Sequence, residues 1–386
     1  MTGLFGIRRR SGAPLVHMGE RVEPEREARV LAELFSAVYG MPPAGVWRAP
    51  AAAAVIGDDG PLGDGVLLSV ALPWGASVAL APATDGVVQV RRAERPRRVV
   101  RGDATVAVLT ALAEAGYGLP SGTGVRVLVR AAPLGGVAPL IAAVLLALAE
   151  VFAGPEPSRE RASLVRIAHR AHEGAPGNPA DLDASLRCAE GRALLTDRRS
   201  GTGRTMAFAL AGAGLRLLIT DTGAARAADQ FAARRVECDK AAAQLEVASL
   251  RDVDDLSGAL TVLHDPALRL RARHVVTEGH RVNALVGLLR AGAAGDIGAL
   301  LNSSHLSLRD ALGVSTPQVD AAVDTAARRG ARGGRMSGPL GLALSVVPEG
   351  RAAPIAEAVA AAFAAHRWSA PVFFNAVPAG GAGRVG

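Results

Sequence analysis

Apolar and polar positions alternate along Val125–Arg130, with Val125, Val127 and Val129 on one side and Arg126, Leu128 and Arg130 on the other. That period of two predicts a strand. Gly135-Gly136 then permits a tight turn, and Pro139 suits the first turn of a helix, where its missing N–H costs nothing. From Leu140 to Phe152 nearly every position is apolar, which predicts a helix buried on most of its sides. Strand, glycine loop and helix form the frame that commonly holds phosphate at a helix N-terminus. No Ser, Thr or Lys stands between Gly135 and Ala149, so the frame lacks its usual chemistry.

The same patterns divide the rest of the chain. Residues 1–27 read as a flexible or loosely packed leader, ahead of domains over 28–200 and 201–386. Val30, Leu31, Leu34, Phe35 and Val38 have helical spacing. Val46–Leu72 reads as strand, loop, strand, with Pro73 ending the run. Asp85-Gly86 between Ala76–Pro82 and Val87–Arg92 is a hairpin signal. Helices are expected at Thr105–Ala115, closed by Gly116, and at Arg161–Ala171, followed by a loop at Glu173–Ala180. Strands are expected around Ala193–Thr196, Leu215–Thr220 and Leu342–Val347. Beyond Phe231 the chain reads mostly as helix. Leu268, Ala272, Val275, Gly279, Val282, Leu285 and Leu289 mark one face of a long helix that Gly292 stops. Thr316-Pro317 opens another, and Pro354–Trp368 forms a last one.

Composition narrows the class without naming a partner. The 386 residues are enough for two domains with substantial cores. Aromatics are only 3%, so Ala, Val and Leu must build those cores. The net charge of +7 would permit nucleic-acid or membrane-surface binding, but the arginines are dispersed among acids and few rings are available for base stacking. Both are set aside as partners. Cys188 and Cys238 give neither a disulfide framework nor a metal cluster. The N-terminus lacks a signal-peptide apolar run, and Val137–Phe152 is too short to span a bilayer, so a cytoplasmic protein is expected.

At VWRAPAAAAVIGDDGPLGDGVLLSVALP, Val46–Pro73, the chain resembles the N-terminal signature of galactokinases in the GHMP small-molecule kinase superfamily. GAPGNPADLDASLRCAEGRALLTDRRS, Gly174–Ser200, is similar to the segment with that family's catalytic aspartate. FAARRVECDKAA, RHVVTEGHRV and SSHLSLRDALGVSTPQVD are similar to segments of its C-terminal half. The resemblance implies an α+β, two-domain GHMP-kinase-like fold whose interdomain cleft holds ATP, Mg²⁺ and galactose in the family.

The chain departs from the family where chemistry is carried. The resemblance places a Gly-Arg pair at Ala51-Ala52, whose arginine would stabilise transferred phosphoryl charge. The sugar-binding run Glu-His-Thr-Asp-Tyr is here Asp58, Asp59, Gly60, Pro61 and Leu62. Such polar groups set selectivity, because a wrong ligand leaves them unpaired. The serines that end the phosphate loop are here Pro139, Leu140 and Ile141, beside Gly135 and Gly136. A third, glycine-rich loop is RMSGPLGLAL, Arg335–Leu344, two residues short and stiffened by Pro339. Asp181 matches the family's catalytic aspartate, and Phe231 matches a sugar-contacting tyrosine.

Each residue also has a plain reading. Asp181, with Asp183 and Ser185, serves as a loop carboxylate capping a nearby turn or helix end. Asp58-Asp59 is either a substrate or metal site or a solvated turn. His274, His280 and His305 pack or cap, and Cys238 is a buried thiol. Arg91, Arg92, Arg95, Arg97, Arg98 and Arg101 line a solvated hairpin edge. No metal site is expected, and ATP and Mg²⁺ serve as cofactors only if the family activity survives. Three functions stay open: a pseudo-kinase that binds a small ligand in the cleft or regulates a protein partner, a cleft redeployed for other chemistry in specialised metabolism, and residual sugar kinase activity.

Overall fold

A computed structural model describes residues 16–18, 22–57, 64–100, 104–131, 134, 136–152, 161–173, 179–224 and 228–386. Asp58, Asp59, Gly60, Pro61, Leu62, Arg101 and Gly135 lie outside the described residues, as does 174–178. In chain order the N-terminal part comprises β1 (Val16–Met18), α1 (Pro24–Tyr39), β2 (Gly45–Gly57), β3 (Val66–Ala83), β4 (Val88–Arg92) and β5 (Arg95–Val100). It continues with α2 (Ala104–Glu114), β6 (Gly124–Arg130), α3 (Ala138–Phe152), α4 (Arg161–His172) and α5 (Ala180–Arg187). The hairpin of β7 (Arg192–Asp197) and β8 (Thr202–Ala207) leads to β9 (Leu215–Asp221). Then come α6 (Ala228–Gln244), α7 (Leu256–Val262), α8 (Pro266–Arg290), α9 (Gly298–Leu306) and α10 (Pro317–Arg328). The chain closes with β10 (Gly333–Ser337), β11 (Leu342–Pro348), α11 (Ala352–Ala365), β12 (Val372–Ala376) and β13 (Gly383–Arg384).

Two mixed sheets divide these elements. One runs β13-β2-β3-β6-β4-β5, with the β7–β8 hairpin joined to the early part of β3. The other runs β1-β12-β9-β11-β10. The division does not follow the chain strictly. Val16–Met18, from the expected leader, pairs in parallel with β12, and α1 starts at Pro24. At the other end, Gly383 and Arg384 return to pair with Arg48 and Trp47 in the first sheet. β8, beyond residue 200, stays with β7 in that sheet.

The helix α3 is buried through Ala149, packed on β2 and β3 in a core of alanine, valine and leucine. Apolar residues all round leave it no solvent face, as the sequence pattern requires. Trp47 Nε1 on β2 donates to Glu150 Oε2 at 2.6 Å, pinning the far end of that helix. The caps at α8 and α10 are also those the sequence encodes. Asp265 accepts from the Ala267 N–H at 2.8 Å, and Thr316 accepts from the Val319 N–H at 3.4 Å, each ahead of a first-turn proline.

Three local readings are corrected. Pro73 does not end its strand. β3 continues to Ala83, because the ladder to β2 shifts register between Pro50 and Ala52, leaving Pro73 where no N–H is required. Asp85-Gly86 is not a two-stranded hairpin. β6 sits between β3 and β4, pairing with β4 in parallel, so the apolar β6 takes the interior position. The expected lid at Arg335–Leu344 is the β10–β11 hairpin, with Gly338 (φ 67°) and Gly341 (φ 75°) in the left-handed conformation of its turn. The arginine edge does hold: Arg92, Arg97 and Arg98 are exposed on the β4–β5 hairpin, with β5 outermost. No helix of the described residues is long and apolar enough to cross a membrane.

Candidate functional site

Asp181 stands in the first turn of α5, where the helix dipole favours a carboxylate, and it is only 7% exposed. Asp183 and Ser185 are buried in the same helix. The loop-cap reading is therefore revised, since all three are helical. Asp183 Oδ2 lies 2.8 Å from His169 Nε2, and its Oδ1 accepts from Arg187 at 3.3 Å. Arg187 also donates to the Gly203 carbonyl at 2.9 Å. The Ser185 hydroxyl donates to the Pro50 carbonyl, tying α5 to β2.

Those ties set α5 against the end of β2. Ala180 packs with Ala54 and Leu67. Ala52 is 2% exposed and packs with Ala71, Ala184, Cys188 and Leu194. The Cys188 thiol shares this dry wall, and burial pushes it up to about 11. No space for an arginine side chain is left at position 52.

The phosphate frame is likewise closed. Pro139, Leu140 and Ile141 are buried in the first turn of α3, with Leu140 and Ile141 in the core. Pro139 has no N–H, and that of Ile141 donates to the Val137 carbonyl at 3.0 Å. Gly136 keeps the left-handed turn conformation, φ 64°. Among the described residues, this helix start offers no hydroxyl, and no group of three His, Cys, Asp or Glu is placed to hold a metal.

The remaining candidates are placed apart. Phe231, on α6, is 0% exposed in the core around α10 and α11, beside Leu308, Leu312 and Val319. The β10–β11 hairpin is fastened, with Ser337 Oγ donating to the Ala54 carbonyl at 3.0 Å and Thr222 Oγ1 to the Gly341 carbonyl at 2.6 Å. His305 is buried, with Nδ1 accepting from the Met336 N–H at 3.3 Å, while His280 is exposed. Cys238 is buried.

A polar seam that sequence reasoning missed joins the two halves. Glu278 of α8 is 4% exposed and accepts from the Gly57 N–H (3.0 Å), Ser304 Oγ (2.6 Å) and Arg281 Nε (2.7 Å). The fully buried Arg335 guanidinium lies 4.0 Å away. Burial alone would raise the Glu278 carboxyl, but Arg335, His274 and Arg281 together hold it below the usual carboxylate range. His274 is 2% exposed, with Nδ1 2.8 Å from Ser307 Oγ, and burial pushes it down to about 4. The signal was present in the sequence, because Glu278 falls three residues after Val275 and four before Val282, on the face read as apolar.

Residues 285–365 match the family of GHMP kinases C terminal. The chain is 36% identical over 400 residues to a galactokinase of Streptomyces coelicolor, covering 95% of this chain and 100% of that protein. It is 33% identical over 358 residues to a galactokinase of Mycobacterium tuberculosis, covering 87% and 98%. Among solved structures, Lactococcus lactis galactokinase complexed with galactose superposes with a TM-score of 0.82 at 20% identity, covering 92% and 99%. Methanococcus jannaschii mevalonate kinase gives 0.61 at 12% identity, covering 86% and 98%. With the α+β fold of those kinases and this identity over nearly its whole length, the chain belongs to the galactokinase family of the GHMP superfamily.

Proposed function

We propose that this galactokinase-family chain is a ligand-binding or regulatory member that does not phosphorylate galactose in the ordinary way. The observation that carries this reading is the packing of the phosphate frame: Pro139 is buried and Leu140 and Ile141 belong to the core, where the family resemblance places serines. Phosphoryl transfer depends on positioning and electrostatic stabilisation. Each donor aimed at developing charge can supply ~3 kcal/mol, and several are replaced together here, Ala52 included. ATP with Mg²⁺ should bind more weakly than ~1 mM, which corresponds to only ~4 kcal/mol.

One observation favours residual sugar kinase activity as the second reading. Asp181 keeps its carboxylate, buried at a helix N-terminus, and a relative at 36% identity is named galactokinase. The deciding assay is galactose-dependent ATP consumption by the purified chain against a heat-killed control, with calorimetry of ATP and Mg²⁺ alongside. No consumption and no micromolar binding are expected. Turnover that Asp181→Asn abolishes would establish the carboxylate as a working base and overturn the proposal.

A further inference from the structure

Arg48 on β2, Ser77 on β3 and Arg130 on β6 form one row across three adjacent strands, Arg48 opposite Ser77 and Ser77 opposite Arg130. Strands lie ~4.8 Å apart, so the two arginine backbones are ~10 Å apart with the serine between them. All three side chains leave the same face of the sheet. Val46, Ala79 and Leu128, two positions along each strand, pack in the core beneath α1. The intervening Trp47, Val78 and Val129 pack on the other face, in the core that holds α3 and Leu182 and Leu186 of α5. The sheet itself separates the row from the phosphate frame and from the helix of Asp181. Arg48 lies near the start of β2, whereas segment 58–63 follows its last residue, Gly57.

The arginines of this row are matched differently from their neighbour. Arg126, on the same strand and face as Arg130, pairs with Asp85 and donates to the Val87 carbonyl at 2.8 Å. Arg48 Nη2 donates to the Pro73 carbonyl. Arg48 Nε and Arg130 Nη1 are buried without a hydrogen-bond partner among the described residues. A buried N–H ordinarily has one, and leaving it unpaired is costly. No carboxylate of the described residues forms an ion pair with either guanidinium. Burial pushes the Arg48 guanidinium down from its ordinary value, and Glu27 and Glu25 of α1 counter this from beyond ion-pair distance. Ser77 is 3% exposed, and its hydroxyl makes no hydrogen bond to the described residues.

Two fixed positive charges thus flank a hydroxyl, with a donor unused on each of the three side chains. A single carboxylate would cancel one charge and leave the other. A phosphate group carries close to two charges near neutral pH and has oxygens enough to accept from all three donors. Arginine suits it, since guanidinium groups match phosphate geometry and stay charged.

We propose that the Arg48–Ser77–Arg130 row is a binding site for a phosphate group, free or carried on a small monoester, on the α1 side of the first sheet. The site stands whether or not the chain retains phosphoryl transfer.

Phosphorus NMR on the full chain tests this, following inorganic phosphate and glycerol phosphate at an ionic strength held constant with sodium chloride. At least one should bind saturably below ~5 mM, and the tighter of the two identifies the source. Arg48→Met and Arg130→Met should each weaken it at least ~10-fold, a loss of ~1.4 kcal/mol. If Arg48→Met unfolds because the Pro73 carbonyl loses its donor, Arg130→Met carries the test alone. Without phosphate, Arg130→Met should melt no lower than the unaltered chain, because it removes a buried, unpaired N–H. Added phosphate should raise the melting temperature of the unaltered chain and not that of the variant. Arg97→Met, on the exposed hairpin, and Asp181→Asn must leave the affinity unchanged. Saturation by neither anion, indifference to both row variants, an equal loss in Arg97→Met, a loss in Asp181→Asn, or a lower melting temperature of phosphate-free Arg130→Met would each overturn the proposal.

Discussion

The wall around Ala52 and the seam around Glu278 are both buried, and they are built in opposite ways. The wall joins β2 to α5 through Ala52, Ala71, Ala184, Cys188 and Leu194, without a charged side chain in the cluster. The seam joins β2 to α8 and β10 through Glu278, Arg281, Ser304 and Arg335. The difference lies in where each group finds its partner. A seam charge is matched by another part of the same chain and stays matched as long as the protein is folded. An arginine or serine on the wall would be matched by a diffusible phosphate, and would be a buried, unsatisfied group whenever that ligand was absent. In the absence of a bound phosphate, apolar replacement of such groups is neutral or stabilising, whereas loss of one seam partner is costly.

The largest test breaks the seam. Glu278→Ala leaves Arg335 and Arg281 without their carboxylate, and should cost ~3–5 kcal/mol in denaturant unfolding. A cost below ~1 kcal/mol would mean that the seam is slack and the contrast empty. A smaller effect is expected on the wall. Ala52→Arg forces a long side chain into closed packing, and overpacking alone costs ~1–3 kcal/mol. The variant should unfold at lower denaturant and gain no galactose-dependent ATP consumption. A stable variant that turned over would show the wall to be an open site after all.

The smallest test sharpens the contrast with a pair nearer solvent. Asp197 is brought down to about 2, first by its hydrogen bond from Arg251, and the two side chains are 33% and 28% exposed. A carboxyl whose folded value lies below its unfolded value near 3.8 stabilises fully above that value. The contribution is then lost as pH falls towards 2. Solvent screening limits it to ~1 kcal/mol or less. Asp197→Asn should therefore lower the urea midpoint slightly at pH 7, and the difference from the unaltered chain should shrink as pH falls from 4 to 2. A difference independent of pH would place the effect in hydrogen bonding to the 199–200 turn.

The sequence alone determined the elements whose cause is local. The buried helix α3 follows from an unbroken apolar run, and the starts of α8 and α10 follow from a capping side chain ahead of a proline. The identities of Ala52, Pro139, Leu140 and Ile141 were also legible there. Tertiary structure decided what depends on residues distant in the chain. Insertion of β6 between β3 and β4 overrode the Asp-Gly turn signal, and a register shift carried β3 past Pro73. Pairing of Val16–Met18 with β12 drew part of the apparent leader into the second sheet. Glu278 reads locally as a misplaced charge on an apolar helix face, and becomes a joint only when Gly57, Ser304 and Arg335 converge on it. Local conformation is set within a few residues, so it is written in the pattern, whereas burial of a charge is permitted only by partners that the folded chain brings together.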